Sequence, residues 1–282
     1  MAEREASKTA IGVAMLRAVH QLWDGPPKIL DDPVVMSLLS AELQDRIRAG
    51  TTGFLEPRSI ALRAHVLLRS RYAEERLEQA VARGVTQLVV LGAGFDTFAH
   101  RQPPWARAIN IFEVDHPASQ RLKRERLATA AIPVPPNVIY APVDFEHDTL
   151  TGGLARVGFD PHRKTFVSCL GVLVYLTGEA IAELFAFIAS LPPRSECVFT
   201  FGGARGLDEP GKPSLATAAA AVGEPWQSSM EIDDVIAALA RAGLPEPVLP
   251  TPAEIHSYLG NRTDGLGPPK RNRIASVVVG AK

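Results

Sequence analysis

The sequence predicts an α/β fold, an open and mostly parallel sheet with helices on both faces. Three observations carry that expectation. Residues 86–101, TQLVVLGAGFDTFAHR, begin as a short apolar run and break abruptly into Gly92-Ala93-Gly94. A buried parallel strand reads this way when it must turn tightly and let its backbone approach a ligand. Residues 108–115, AINIFEVD, read as a second strand, and its terminal Asp115 lies 21 residues after Gly94. That is the interval at which a nucleotide-binding sheet sets a carboxylate on a ribose hydroxyl. From Thr86 onward, strand-like runs then alternate with helical patterns.

The elements follow in order. Residues 5–24 predict a helix, with Ala6, Ala10, Val13, Ala14 and Leu16 on one face, stopping before Gly25-Pro26-Pro27. Asp31-Asp32-Pro33 opens a second helix through about Ile47, with the proline in the first turn. Residues 58–83 predict a long helix ending at Gly84. Together residues 1–84 read as a helical cap over the open end of the sheet. Seven strands are expected, at 87–92, 108–114, 137–142, 165–174, 196–202, about 245–250 and 273–280. Helices fall near 117–130, 178–190 and 230–242. The loop 251–272 shows too little helix for a right-handed crossover, so the last two strands can pair as an antiparallel hairpin. Residues 203–227, rich in Gly and Pro before an alanine run, read as an excursion, either a lid over the substrate or a surface loop. The 282 residues permit one domain or two. The chain is read as one, with 85–282 as its core.

Composition excludes several classes. With 46% hydrophobic and 22% charged residues the chain is ordinary globular material, and a net charge of −1 provides no field to recruit nucleic acid or an acidic membrane. The basic run 121–126 sits where a helix follows the second strand and reads as a solvated helix face. Cys169 and Cys197 lie in apolar runs without metal or redox spacing, which reads as core thiols in a reducing compartment. The first residues, MAERE, have no apolar signal core, and no run approaches the ~18 apolar residues of a membrane span. A cytoplasmic protein with no membrane partner is expected.

The loop chemistry selects the nucleotide. A dinucleotide site wants Gly or Ala three residues beyond the second glycine, where the helix packs against the pyrophosphate. Here that residue is Thr97, and Asp96 adds a negative charge. A carboxylate there repels a pyrophosphate but not the sulfonium and ammonium of S-adenosylmethionine. The two glycines, Asp96 and Asp115 together point to that cofactor.

Three blocks, with one at each end of the chain, then resemble a family. Leu91-Gly-Ala-Gly-Phe-Asp-Thr97 with Arg101, Phe112-Glu-Val-Asp-His-Pro117 with Lys123, and Val143-Asp144-Phe145 lie between Ser7-Lys-Thr-Ala10 and Asn261-Arg-Thr-Asp-Gly-Leu266. They are similar to the leucine carboxyl methyltransferase family, in its bacterial branch of class I S-adenosylmethionine-dependent methyltransferases. The resemblance implies a Rossmann-like sheet with an antiparallel hairpin at its C-terminal edge. It also implies methylation of a carboxyl or hydroxyl oxygen of a small-molecule acceptor.

The site residues follow from both readings. Gly92 and Gly94 let the backbone face the methionine part of the cofactor. Asp115 accepts from the ribose hydroxyls, since one carboxylate can receive two hydrogen bonds. Asp144 accepts from the adenine amino group, with the Phe145 backbone beside it; an acid at a strand end also serves as a helix cap. The cofactor carboxylate needs a cationic fork, and in the family an arginine on the helix before the glycine loop supplies it. Arg69 and Arg71 are the candidates, with Arg69 the better match, and Arg17 is a candidate cap contact. Glu113 alternates to the opposite side of its strand and reads as structural, while His116 reads as the cap of the next helix.

One departure stands out. Many family members carry a cofactor-contacting Glu before the Val-Leu-x-Tyr-Leu block, where this chain has Leu170. The cofactor's ammonium would then rely on backbone carbonyls near Gly92. Tyr175 matches the family's tyrosine and could line the methyl-transfer pocket, or be a half-buried strand-end residue without a role. The seven histidines show no metal-ligand spacing, and no nucleophile elbow is present. The resulting expectation is an O-methyltransferase. The alternatives are a nicotinamide-dependent oxidoreductase on a similar sheet, or a non-catalytic protein that keeps the cofactor site.

Overall fold

The structure, a computed structural model, describes residues 7–50, 52–145, 147–202, 215–269 and 273–280. Its centre is β1 (Gln87–Leu91), in which every residue is buried. Val89 and Leu91 enter one core, and Leu88 and Val90 the other. That alternation across two covered faces is why the strand reads as an unbroken apolar run. β2 (Asn110–Asp115) and β4 (Thr165–Cys169) flank β1 in parallel. β3 (Val138–Pro142) extends the sheet beyond β2, and β5 (Glu196–Phe201) extends it beyond β4. β6 (Arg273–Val278) runs antiparallel to β5, giving the order β3-β2-β1-β4-β5-β6. The chain leaves β1 toward β2 on one side and meets β4 on the other, so the carboxyl ends of β1, β2 and β4 border a crevice at the switch point.

Six strands stand among the described residues where seven were expected. Residues 245–250 contribute a single antiparallel bridge, Val248 to Ser276 on β6. Pro245, Pro247 and Pro250 remove three of that segment's six donors, and a segment so depleted cannot hold a ladder. The fourth strand also ends earlier than expected. Gly171 turns the chain at φ +76° and Leu173–Tyr175 form a 3-10 turn.

The N-terminal helices divide their work. α1 (Lys8–Trp23) and α2 (Ala41–Arg48) share a core with the Phe95 loop. α3 (Pro57–Ala82) instead lies along a face of the sheet, packing Leu67, Tyr72 and Leu77 toward Leu88, Val90 and Phe166. The expected helix 31–47 is broken. Asp32 is drawn inward to bonds described below, and only a 3-10 turn, Val35–Leu38, precedes α2, which Ser40 caps.

α4 (Pro117–Thr129), α6 (Gly178–Ser190) and α8 (Ile232–Arg241) fall close to expectation. α5 (Leu150–Arg156) was not anticipated, its Gly152-Gly153 pair being a poor helix signal. Gly153 is there because a Cβ would come within 2.2 Å of Val143 Cγ2. α9 (Pro252–Leu259) fills the expected loop, opened by a Thr251/Glu254 capping box that is plain in the sequence. Of the excursion 203–227, residues 203–214 lie outside the described residues, and α7 (Leu215–Ala221) opens the remainder. No helix among the described residues is long and apolar enough to cross a membrane.

Candidate functional site

The crevice is built on the loop after β1. Gly92 and Gly94 hold φ values of +60° and +42°, a region L side chains rarely adopt. Space enforces the same choice. A Cβ on Gly92 would meet Val172 Cγ2 at 2.6 Å, and one on Gly94 would meet Ala10 of α1 at 2.9 Å. The Gly94 N–H donates to Asp115 Oδ2 at 2.5 Å, so the 21-residue spacing does bring loop and strand-end acid together. The His116 N–H donates to Asp115 Oδ1 at 2.6 Å. Each carboxylate oxygen keeps a further lone pair for a ligand. Burial holds the Asp115 carboxyl above its ordinary range, against the pull of those two N–H donors.

A second acid stands beside it. His116 caps α4 by accepting from Ala118 N at 3.2 Å through Nδ1, which leaves Nε2 3.6 Å from Asp144 Oδ2. Asp144 is thus at the rim beyond β3. The next residue, Phe145, is exposed, and with Leu91, Val172 and Leu176 it lines a cavity of about 490 Å³ that runs between α5 and α6.

The Asp96 side of the loop is clamped from the cap. Arg17, only 2% exposed, reaches Asp96 Oδ2 at 3.2 Å, Thr97 Oγ1 at 2.7 Å and Asp32 Oδ2 at 2.6 Å. Thr97 donates its hydroxyl to Asp32 at 2.8 Å, and Arg101 ties Thr97 Oγ1 to Glu74 on α3. Burial would raise Asp96, but the Arg17, Lys123 and Arg101 cations and the Phe98 N–H hold it below the usual carboxylate range. Sequence reading singled out Arg17 as a cap contact and missed Asp32, whose only signal is an acid in a helix-start motif.

The two arginines of α3 part company. Arg71 is exposed, 3.6 Å from Glu75 and stacked over Tyr258. Arg69 turns to the crevice: its guanidinium lies over the Gly171 backbone, so that a Cβ there would meet Nη1 at 2.6 Å. No carboxylate among the described residues pairs with Arg69. Burial and the neighbouring Arg17 charge bring its pKa down to about 10, against the pull of Tyr175 and Asp96. A half-buried guanidinium beside a glycine turn has donors with the geometry to receive a carboxylate.

Tyr175 stands within electrostatic reach of Arg69, on the turn after β4. Leu170 points to the α3 side, where it lines a small cleft with Ser70, Glu74, Asp96 and Phe98. Glu113 pairs with Lys123 at 2.7 Å, both side chains 1% exposed, and plays the structural part expected of it.

The arrangement offers one cation, a backbone turn without side chains and two acids in a row. This suits a ligand bearing a carboxylate, a diol and an amino group. The comparisons agree with it. The described family model that matches residues 10–189 is that of leucine carboxyl methyltransferase. A candidate S-adenosyl-L-methionine-dependent methyltransferase of Bacillus subtilis (strain 168), YktD, is 31% identical over 94% of this chain and 95% of its own length. One of the same description from Mycobacterium ulcerans (strain Agy99) is 32% identical over 68% of this chain and 64% of its own. A crystal structure of a DUF574 family protein from Streptomyces avermitilis has the same fold, with a TM-score of 0.56 at 15% identity over 97% of this chain and 98% of that one. Matched over most of its length by sequence and along the whole sheet by fold, the chain belongs to the leucine carboxyl methyltransferase family.

Proposed function

We propose that this S-adenosylmethionine-dependent methyltransferase transfers its methyl group to a carboxylate or hydroxyl oxygen of a small molecule. The observation that carries the cofactor assignment is Arg69, a half-buried guanidinium without a carboxylate partner among the described residues, set against the Gly171 turn on the crevice side of α3. Arg69 holds the amino-acid carboxylate of the cofactor, and Gly92 and Gly94 leave room for its methionine part. Asp115, fixed by two backbone donors, accepts from the ribose hydroxyls. Asp144 accepts from the adenine amino group, with Phe145 against the ring. Arg71, engaged with Glu75 and Tyr258, takes no part.

When bound, the cofactor supplies a methyl group on a positively charged sulfur, already activated for displacement. The protein's task is therefore to hold the acceptor in line and to keep water out. α1 over Gly94 serves the second end, and Tyr175 lines the transfer pocket. An acceptor carboxylate needs no general base, which suits a crevice whose acids are committed to the cofactor. Leu170 leaves the ammonium to backbone carbonyls near Gly92. A diphosphate coenzyme is disfavoured, because Asp96 is held ionised beside the loop that would receive its phosphates.

Calorimetric titration with S-adenosylmethionine and with NAD tests the cofactor. Binding of the first and not the second is expected, and the reverse result overturns the proposal. Transfer of labelled methyl into a metabolite extract tests the acceptor. A base-labile product marks a methyl ester and a base-stable one an ether, whereas label found only on nitrogen or carbon excludes O-methylation.

A further inference from the structure

Glu224 reaches 217 residues back along the chain to the first turn of α1. Its Oε1 accepts from the Lys8 N–H at 2.7 Å and the Thr9 N–H at 3.4 Å, and its Oε2 accepts from the Ser7 hydroxyl at 2.9 Å. Ser7 Oγ in turn accepts from Ala10 N at 3.0 Å. The first turn of α1 is thus capped twice, once locally and once by a remote carboxylate, where orphan N–H groups and the helix dipole both favour an anion.

That turn rests on the candidate cofactor site. Ala10 lies against Gly94, and Ser7 N–H donates to Ser119 Oγ at 3.3 Å, four residues after Asp115. The segment carrying Glu224 is anchored on the opposite flank. Gln227 and Ser228 donate their N–H groups to Val174 O at 2.7 and 3.2 Å, and the Ser228 hydroxyl donates to Leu173 O at 2.7 Å. These acceptors belong to the turn that holds Tyr175. Glu224 therefore joins the part of the roof resting on β1 and β2 to the part resting on the turn after β4.

We propose that Glu224 is a latch across the mouth of the cofactor crevice, whose release admits and discharges the nucleoside. The inference rests on the cofactor reading above. The bonding fits a latch better than a brace. Its Lys8 contact is exposed to solvent, so it can break into water without stranding a buried charge, unlike the Arg17–Asp32 pair. Because ligand must pass the same mouth in both directions, the latch governs entry and exit alike.

Stopped-flow binding of S-adenosylhomocysteine to the full chain tests this. In Glu224→Ala, association and dissociation are both expected to be about tenfold faster, with Kd moved by less than about threefold, as for loss of charge-assisted hydrogen bonds at a gate. Glu224→Gln, which keeps an acceptor without the charge, falls between. Should the alanine variant fail to fold, the glutamine variant is judged by the same criterion. Glu254→Ala, which removes a capping carboxylate from α9, is expected to keep wild-type rates. Unchanged rates in the Glu224 variants overturn the latch alone. So does faster dissociation with unchanged association, which marks a mere contact. Failure of the wild-type chain to bind either S-adenosylhomocysteine or S-adenosylmethionine overturns the cofactor reading and the latch with it.

Discussion

At the scale of single residues, the site is decided by which polar groups are already satisfied. Asp115 takes two backbone N–H bonds and so is oriented before any ligand arrives, with lone pairs left to receive a diol. Removing it takes away both the acceptor and the group that fixes Gly94 N. Asp115→Ala is expected to weaken S-adenosylmethionine binding by about 1–3 kcal/mol, the usual cost of losing a charged hydrogen-bonding partner. Calorimetry measures it, and unchanged affinity would assign the ribose to another strand end. The choice between Arg69 and Arg71 shows where sequence reading stops at this scale. Two residues apart on a helix means about 200° apart around its axis, so only one can face the crevice. The pattern Leu68-Arg-Ser-Arg-Tyr72 does not say which, because Leu68 and Tyr72 are both buried and the face between them is fixed by long-range packing.

At the scale of elements, legibility followed local chemistry. β1, β2 and α6 stood close to their expected bounds, because a continuous apolar run ending in glycine or acid, or a capped amphipathic run, carries its own limits. The strand expected at 245–250 failed because three prolines outweigh its apolar character. The helix expected at 31–47 failed through a contact that no local pattern encodes. Asp32 pairs with Arg17, 15 residues earlier, and with Thr97, 65 residues later. That clamp fixes the glycine loop to the cap and makes a stability prediction. Arg17→Met leaves the fully buried Asp32 short of its main counter-charge, which costs about 3–5 kcal/mol. Adding Asp32→Asn removes the stranded charge while keeping an acceptor for Thr97 and for Val35 N, so the double variant is expected to be more stable than Arg17→Met alone. Urea unfolding of the two single variants and the double variant measures this. Strictly additive losses would show that the two side chains do not act as a pair.

At the scale of the whole molecule, the fold couples stability to pH through groups that the chemistry does not use. His65 lies on the buried face of α3, one turn before Arg69, and its Nδ1 has no hydrogen-bond partner. Burial first, and the Arg69 charge second, bring its pKa down to about 3. The native chain thus keeps His65 neutral, while the unfolded chain protonates it near 6.5. The unfolded state therefore binds the extra proton, and stability falls as pH drops below about 6.5 and goes on falling until the folded value near 3 is reached. At pH 5 the loss depends only on the unfolded value, because the folded one lies well below, and it comes to about 2 kcal/mol relative to pH 7. His100, brought down to about 4 by burial and Lys123, adds to the same trend. The His65 share can be isolated. His65→Leu keeps an apolar group of similar size in place, so the difference in unfolding free energy between pH 7 and pH 5 should shrink by about 2 kcal/mol relative to wild type. Urea melts of both proteins at the two pH values decide it. An equal pH dependence in the two proteins would mean that His65 takes up its proton in the folded chain, with a charged imidazole tolerated one helical turn from the Arg69 guanidinium.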